Sequence, residues 1–444
     1  HLKRCYYAMK QAVSFQKLDK NINGQRRLRA CHECDWVSAL PRLRPGEVAH
    51  CPRCHHVLAR RHYRPAQRSL AIAISAFIAL LIAVSFPFVS FSIKGIGHSI
   101  EIEQTASMLL SFEQPIVAIV VALTIIILPA MYLVSVIWLQ LVLLFSEPKI
   151  KHRQIARTLK HLDSWMMADV FIIGALVSLF KIAGMADIEL GIAFWAYAVF
   201  AFLLLMTTRS IDADWMWFAI AGEPRAPAHT NTGQGAAEQG LTGCPTCGLI
   251  HALDKDSDNH CVRCGEPLHA RAPKSLQRTL ALLITATIFY IPANVYPIMT
   301  TTNFGQEKNS TIMAGVIDLI EHGSWPIALV IFIASILVPI AKLIVLSWLC
   351  LTVNNAHQLS QLARLKLYRI TEFIGRWSMV DVFVVAILVA LIHAGDLISV
   401  TPGPAALAFA SVVVLTMLAA ITFDSRLIWD KPQTELRPAQ DNSV

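Results

Sequence analysis

The chain has 444 residues, 55% of them hydrophobic and only 15% charged, with a mean hydropathy of +0.52 and a net charge of +8. Apolar content on this scale exceeds what a soluble core needs, so the composition excludes an ordinary soluble enzyme and points to a polytopic membrane protein. The basic residues gather in short loops beside apolar runs, which makes the charge a topology signal and predicts no nucleic-acid partner.

Residues 1–27 form a basic, polar N-terminal segment without the apolar stretch of a cleavable signal peptide, so none is predicted. Residues 28–62 carry Cys31-His-Glu-Cys34 and Cys51-Pro-Arg-Cys54, two C-x2-C pairs whose spacing suits four thiolates closing on one zinc ion. Residues 63–221 are a first transmembrane module, with apolar runs near 68–90, 115–145, 163–184 and 189–209. Lipid offers no partners to backbone amides and carbonyls, so these runs are read as helices and their prolines as kinks or span ends. Residues 222–243, rich in Ala, Gly, Pro and Thr, predict a flexible linker. The pattern then begins again. Residues 244–270 hold Cys244-Pro-Thr-Cys247 and Cys261-Val-Arg-Cys264, residues 271–430 hold runs near 276–297, 325–353, 373–395 and 401–423, and residues 431–444 are a C-terminal tail. The predicted fold class is an all-α polytopic integral membrane protein: two tandem four-helix transmembrane modules, each preceded by a small cytoplasmic zinc-ribbon-like β module.

The repeat is close to a shifted copy. Cys51 answers Cys261, Phe86-Pro87 answers Tyr296-Pro297 and Pro129 answers Pro339, each at an offset of 210. Trp165 to Asp169 answers Trp377 to Asp381, and Asp212 to Trp217 answers Asp424 to Trp429, both at 212. Arg60, Arg61, Arg64 and Arg68 precede the first span, Lys149 to Lys160 join the second and third, and Arg364, Lys366 and Arg369 join the sixth and seventh. By the positive-inside rule both termini and both cysteine modules are cytoplasmic. A reducing cytoplasm disfavours disulfides, and all-cysteine sets make closed structural sites, so two structural zinc ions are the predicted cofactors, ahead of iron or a redox role. His50, His55, His56 and His260 are alternative ligands beside the reading as solvated surface side chains, and Cys5 and Cys350 stand apart.

Ionisable groups within spans are costly unless paired or hydrated, so chemistry is sought there. Lys342 and Asp381 fall at comparable depths, with Ser335, Ser378 and Thr416 at similar levels, a grouping that suits one polar cluster. The first half has Ile125, Tyr132, Met166 and Leu204 opposite Ser335, Lys342, Ser378 and Thr416, while Asp169 is kept opposite Asp381. This asymmetry favours a functional site in the second half over a buried ion pair that only fixes helix register. Lys181 reads as an anchor near the periplasmic end.

The duplicated cysteine pairs and spans, the W-x3-D signature at Trp165 to Asp169 and Trp377 to Asp381, and the run Gly375-Arg376-Trp377-Ser378-Met379 resemble the paraquat-inducible protein A family of bacterial inner-membrane proteins. Ala334-Ser335 through Pro339, Lys342 and the closing Asp424 to Trp429 extend the resemblance over residues 28–430. It implies multi-pass residence in the bacterial inner membrane beside a periplasmic MCE-domain protein that builds a hydrophobic tunnel. The implied function is passage of phospholipid or other lipophilic molecules to or from that tunnel. It also carries the intramembrane polar residues over to Ser335, Lys342, Ser378, Asp381 and Thr416.

No G-x-x-x-x-G-K-[ST] is present, so energy is sought in the proton gradient acting through Asp381 and Lys342. Two rival classes stand beside transport. One is a non-catalytic scaffold or anchor for envelope proteins, and the other is a membrane enzyme acting on lipid or quinone, which the residues argue against for want of an open metal site or a nucleophile.

Overall fold

The computed structural model describes residues 27–93, 96–100, 115–148, 150–163, 165–182, 187–253, 259–303, 306–321, 323, 325–353, 360–391, 393–394 and 398–430. The basic N-terminal stretch with Cys5, and the tail from 431, lie outside the described residues.

The chain opens with two hairpins, β1 (Arg27–Ala30) with β2 (Val37–Leu40) and β3 (Val48–His50) with β4 (Val57–Arg60). The first apolar helix is α1 (Pro65–Ser85), followed by β5 (Val89–Ile93) and β6 (Ile96–Ile100). A long span comprises α2 (Pro115–Ala122), a π-helical turn at Leu123–Ile127 and α3 (Leu128–Phe145). An amphipathic basic helix, α4 (Ile150–Asp163), precedes α5 (Ala168–Ile182); β7 (Asp187–Leu190), α6 (Ile192–Ser210) and α7 (Ala213–Ala221) close the half. The second half repeats the scheme with β8 (Leu241–Gly243), β9 (Ile250–Ala252), α8 (Ser275–Val295), β10 (Met299–Asn303), β11 (Gln306–Ser310) and α9 (Ile312–Glu321). Then come α10 (Trp325–Phe332), a π-turn at Ile333–Leu337, α11 (Val338–Thr352), α12 (Gln361–Trp377), α13 (Val380–Leu391), β12 (His393–Ala394), β13 (Ile398–Pro402) and α14 (Pro404–Thr422).

Two compact units emerge, one of residues 1–70, 138–160 and 210–270 and one of residues 71–137, 161–209 and 271–444. In the first, all four cysteine knuckles share one backbone device. Asp35, His55, Gly248 and Gly265, each directly after a C-x2-C, take positive φ. Each amide returns to the carbonyl of the first cysteine of its pair, at 2.9, 3.0, 3.0 and 2.7 Å. The stretch 222–243, expected to be a flexible connection, instead carries specific contacts. The Val37 amide donates to the Gln234 carbonyl, Gly233 to that of Val37, Ala236 to that of Asp35, and Ala237 to the Asp35 carboxylate. Ala30, Val37, Ala236, Leu241 and Ile250 are buried together, so the two ribbons and the connection share one small core. Neither ribbon has apolar surface enough to fold on burial alone.

In the second unit the repeat is three-dimensional. Both long spans contain a five-residue π-turn that ends two residues before a proline: Leu128 donates to the Leu123 carbonyl before Pro129, and Val338 to that of Ile333 before Pro339. Proline removes a donor and its ring crowds the carbonyl four residues back, here Ile125 and Ser335, and the widened turn relieves that contact. A tyrosine hydroxyl serves one carbonyl of each turn. Tyr197 Oη donates to Ile125 O at 3.3 Å, and in the second half Tyr290 Oη donates to Ile336 O at 3.4 Å.

Seven helices among the described residues are long and apolar enough to cross a membrane, and the chain is a multi-pass membrane protein. Eight spans were expected. The shortfall is at 373–395, where the chain turns at Ser378-Met379 and α13 has only 12 residues, about 18 Å of helix. The transmembrane halves also carry two small antiparallel sheets that the helical pattern did not predict. Their strand orders are β6-β5-β7 and β11-β10-β13-β12.

In each sheet one strand, β7 or β13, leads into a helix through a glycine in tight quarters. A Cβ built on Gly191 overlaps the Pro87 carbonyl, and one built on Gly403 overlaps that of Pro297. Gly191 and Gly403 donate to Phe88 O and Ile298 O at 3.1 and 2.9 Å, which pins the start of α6 and of α14 to the end of α1 and of α8. The halves themselves meet at matching residues. Phe171 on α5 and Phe383 on α13, 212 apart, stack edge-on at 5.7 Å, and Gly174 lets the Phe383 Cβ approach to where its own would lie 3.0 Å away. Gly403→Ala or Gly191→Ala is expected to abolish monodisperse folded protein in fluorescence-detected size-exclusion chromatography. Gly315→Ala, with nothing within 4 Å, should leave the profile unchanged.

The aspartate closing each half caps the element that follows. Asp424 accepts from the Ala272 and Arg426 amides and from the Arg426 guanidinium; burial opposes its charge, but these bonds hold its carboxyl below the usual range. Asp212 caps α7 by accepting from Trp215, but Arg61 stands at 3.6 Å, and burial pushes its carboxyl up to about 6 despite the amide hydrogen bonds. A raised carboxyl pKa stabilises the fold below the unfolded value of about 3.9 and loses that contribution as pH rises through about 6. Asp212→Asn, which keeps the acceptor, should therefore raise the melting temperature at pH 8 and leave it unchanged at pH 4.

Candidate functional site

Two constellations bear on function. In the first unit, Cys31, Cys34, Cys51 and Cys54 are buried with their sulfurs within 4.8 Å of one another, and so are Cys244, Cys247, Cys261 and Cys264. The closest pairs are Cys31–Cys54 at 3.4 Å, Cys34–Cys51 at 3.5 Å, Cys244–Cys264 at 3.4 Å and Cys247–Cys261 at 3.5 Å. A disulfide needs about 2.05 Å, whereas sulfurs about 2.3 Å from a shared tetrahedral ion stand close to the separations seen. Hydrogen bonds from neighbouring thiols pull Cys51 and Cys261 below the ordinary thiol range, so each set already favours a thiolate. Both sets fit one metal ion each. Of the histidines considered as ligands, His50 bonds the His55 carbonyl and His56 pairs with Glu33.

The two clusters differ in their surroundings. At the second, His251 Nε2 lies 3.2 Å from Cys261 Sγ. Arg263, wholly buried within the second knuckle, stands 3.3 Å from Glu223, in a network where Arg27 and Arg29 also pair with Asp214 and Glu223. The Arg29 stem packs on Gly248, which joins strand β1 of the first ribbon to the second ribbon's metal knuckle. Three guanidiniums against two carboxylates leave positive charge beside a tetrathiolate whose own charge is negative. At the first cluster the corresponding Arg53 lies over the Trp36 ring, 5.0 Å from its centroid. A limiting chelator should therefore release metal in two steps of one equivalent, from the first cluster before the second. Arg263→Met with His251→Ala should speed the second step by about tenfold, read by atomic absorption and a colorimetric chelator.

The second constellation is intramembrane. Lys342 on α11 is buried and donates from Nζ to Thr416 Oγ1 on α14 at 2.8 Å, and Thr416 donates onward to the Val413 carbonyl at 3.0 Å. Gly375 on α12 lies beside the ammonium: a Cβ there would be in ordinary contact, 3.9 Å from Lys342 Cε and 4.0 Å from Nζ, so a longer side chain would crowd it. Lys342 and Thr416, two of the residues expected in one polar cluster, are thus in contact. Ser335, buried in the second π-turn, lines a different recess with Ile298, Ile312, Val384 and Phe409. Ser378, also buried, lines a cleft with Ala334, Val338 and Trp377. The side chains of Asp381 and Lys181 lie outside the described residues.

Asp169 does not join Lys342. It is half-buried at the start of α5 and lines a small first-half cleft with Asp163, Met166, Leu204 and Thr208. Met166, Asp169 and Leu204 are the counterparts of Ser378, Asp381 and Thr416, so these three repeat positions converge in the first half. Sequence reasoning missed Gly375. Its counterpart at an offset of 212 is Asp163, and that exchange, beside Tyr132 for Lys342, was the available signal.

A family model described as "Paraquat-inducible protein A" matches the chain twice, over residues 66–221 and 276–433. "Intermembrane transport protein PqiA" of Escherichia coli (strain K12) is 39% identical over 91% of this chain and 96% of its own length. "Probable intermembrane transport protein" of Haemophilus influenzae is 31% identical over 90% and 95%. "Lipophilic envelope-spanning tunnel protein A" of Escherichia coli (strain K12) is 28% identical over 90% of each. Two carry the name of an intermembrane transport protein and the third that of a tunnel protein, and none carries that of an enzyme. No solved structure matches.

Proposed function

Given that the chain belongs to the paraquat-inducible protein A family, we propose that it is the inner-membrane component of an intermembrane lipid transport system. It passes phospholipid or other lipophilic molecules to or from a periplasmic MCE-domain tunnel. The names of the relatives support movement between membranes and a lipophilic cargo. The observation that carries a mechanism is Lys342 buried on Thr416 in the second half only, where the first half has Tyr132 and Leu204. Packing alone did not require the lysine, since the same helix in the same repeat does without it.

In this reading Asp381, whose counterpart Asp169 faces a cleft, exchanges a proton and makes or breaks its pairing with Lys342 as the membrane gradient drives a conformational change. Ser335, Ser378 and Thr416 complete the polar path. The two cysteine clusters hold structural zinc on the cytoplasmic side, where the ion would supply folding energy to ribbons too small to fold without it. The basic loops support the same side for both termini. The matched stretches 66–221 and 276–433 support division into transmembrane modules over 63–221 and 271–430, with ribbons at 28–62 and 244–270.

Lys342→Ala and Asp381→Asn, each at wild-type protein level in cells lacking the native copy, are expected to reduce envelope lipid transport to background. Transport that continues undiminished in both would rule the gradient-coupled cluster out. Recovery of an MCE-domain protein and two zinc ions per chain on gentle purification is the companion expectation; zinc without partner or lipid would favour a scaffold.

A further inference from the structure

At the Ser378 turn a cleft of about 240 Å³ is bounded by Val330, Ile333, Ala334, Val338, Trp377 and Ser378. Its rim is open: Val330 and Ile333, on a membrane-crossing span, are 54% and 40% exposed, and Trp377, at the end of α12, is 37% exposed. Five of the six lining residues are apolar, so water is a poor occupant and an alkyl chain a good one. Ser378 is the exception. It is 1% exposed, and its hydroxyl has no hydrogen-bond partner. An orphan hydroxyl in hydrocarbon is unfavourable, and it is best satisfied by a ligand that brings an acceptor.

Depth selects the ligand. From Ser378 the 12 residues of α13 rise about 18 Å toward the far sheet, so the hydroxyl lies near the middle of a hydrocarbon core about 30 Å thick. Resting lipids keep their ester and phosphate groups at the interface, away from that level. The hydroxyl therefore meets an acceptor only when a lipid has been drawn inward. Ser378 also stands about one turn from Gly375, and Val338 one turn from Lys342, so the cleft leads toward the buried ammonium.

We propose that this cleft is a lateral portal for a diacyl phospholipid. One acyl chain lies against Ala334, Val338 and Trp377 while Ser378 Oγ donates to an ester carbonyl. The proposal rests on the lipid-transport reading and adds the site of admission and the ester as the recognised group. Its occupant is a lipid in transit, distinguished from an annular lipid by the depth of its polar group.

The test uses the full chain reconstituted in vesicles of dioleoyl phosphatidylethanolamine mixed equally with its diether analogue, then released in mild detergent for native mass spectrometry of retained lipid. Wild type is expected to retain the ester lipid over the diether by about two- to tenfold, the worth of one hydrogen bond. Ser378→Ala should abolish the preference and Ser378→Thr restore it. Ala334→Trp, which fills the cleft, should lower total retained lipid, whereas Leu337→Trp, in the same π-turn but outside the cleft, should not. If Ala334→Trp fails to fold, the Ser378 pair still decides. Retained lipid without an ester preference, or a preference surviving in Ser378→Ala, overturns the portal alone and leaves transport standing. A wild type that retains no lipid overturns the portal together with the transport reading.

Discussion

Everything in the membrane part of this protein answers to one constraint: inside hydrocarbon, a polar group has only the protein to bond with. Prolines at 129 and 339 free carbonyls from the helical ladder, and the chain responds with a widened turn and a tyrosine hydroxyl on a carbonyl of each turn. The same rule places Lys342 against Thr416. Glycines at 191 and 403 serve it differently, by letting backbone reach backbone where any side chain would intervene.

Against that shared frame, the differences between the halves carry meaning. Where the first half has Tyr197, whose hydroxyl serves the π-turn, the second has Phe409, and the task passes to Tyr290 from another helix. Where the first half has Asp163, the second has Gly375, and the vacated volume lies beside an ammonium group. The cap at Asp212 lacks the arginine that Asp424 has in Arg426. The residue in that place, Asp214, has turned to Arg27 and Arg29 instead, tying the start of α7 to the first ribbon's strand. Each exchange leaves the fold intact and alters what the local chemistry can do.

Much of this was legible in the sequence because its signals were either long or rigidly spaced. Apolar runs of about twenty residues marked most of the spans, C-x2-C spacing marked the two metal-competent clusters, and the offset repeat singled out Ser335, Lys342, Ser378 and Thr416, of which Lys342 and Thr416 share a hydrogen bond. The failures have physical causes. Residues 222–243 looked like a linker because Ala and Gly are common there, yet Ala236 is small enough to enter the joint core of the ribbons. The small sheets escaped because five-residue strands such as Met299–Asn303 carry too few alternations to register beside spans four times as long. The break at Ser378-Met379 escaped because hydropathy does not see two residues leaving a helix. Gly375 escaped because a missing side chain leaves no polar letter to notice.

The stacking of Phe171 on Phe383 says something about the joined chain that neither half says alone. Matching residues facing each other are the mark of an isologous contact, the kind two identical subunits make around a two-fold axis. Two identical subunits, however, must carry every feature twice: a buried lysine on one face brings a second on the other, and a widened pocket in one brings the same void to its mate. Covalent fusion lifts that obligation. One half can keep Tyr132 where the other buries a lysine, so the chain carries that ammonium group once on a scaffold whose contact at Phe171 and Phe383 is symmetric.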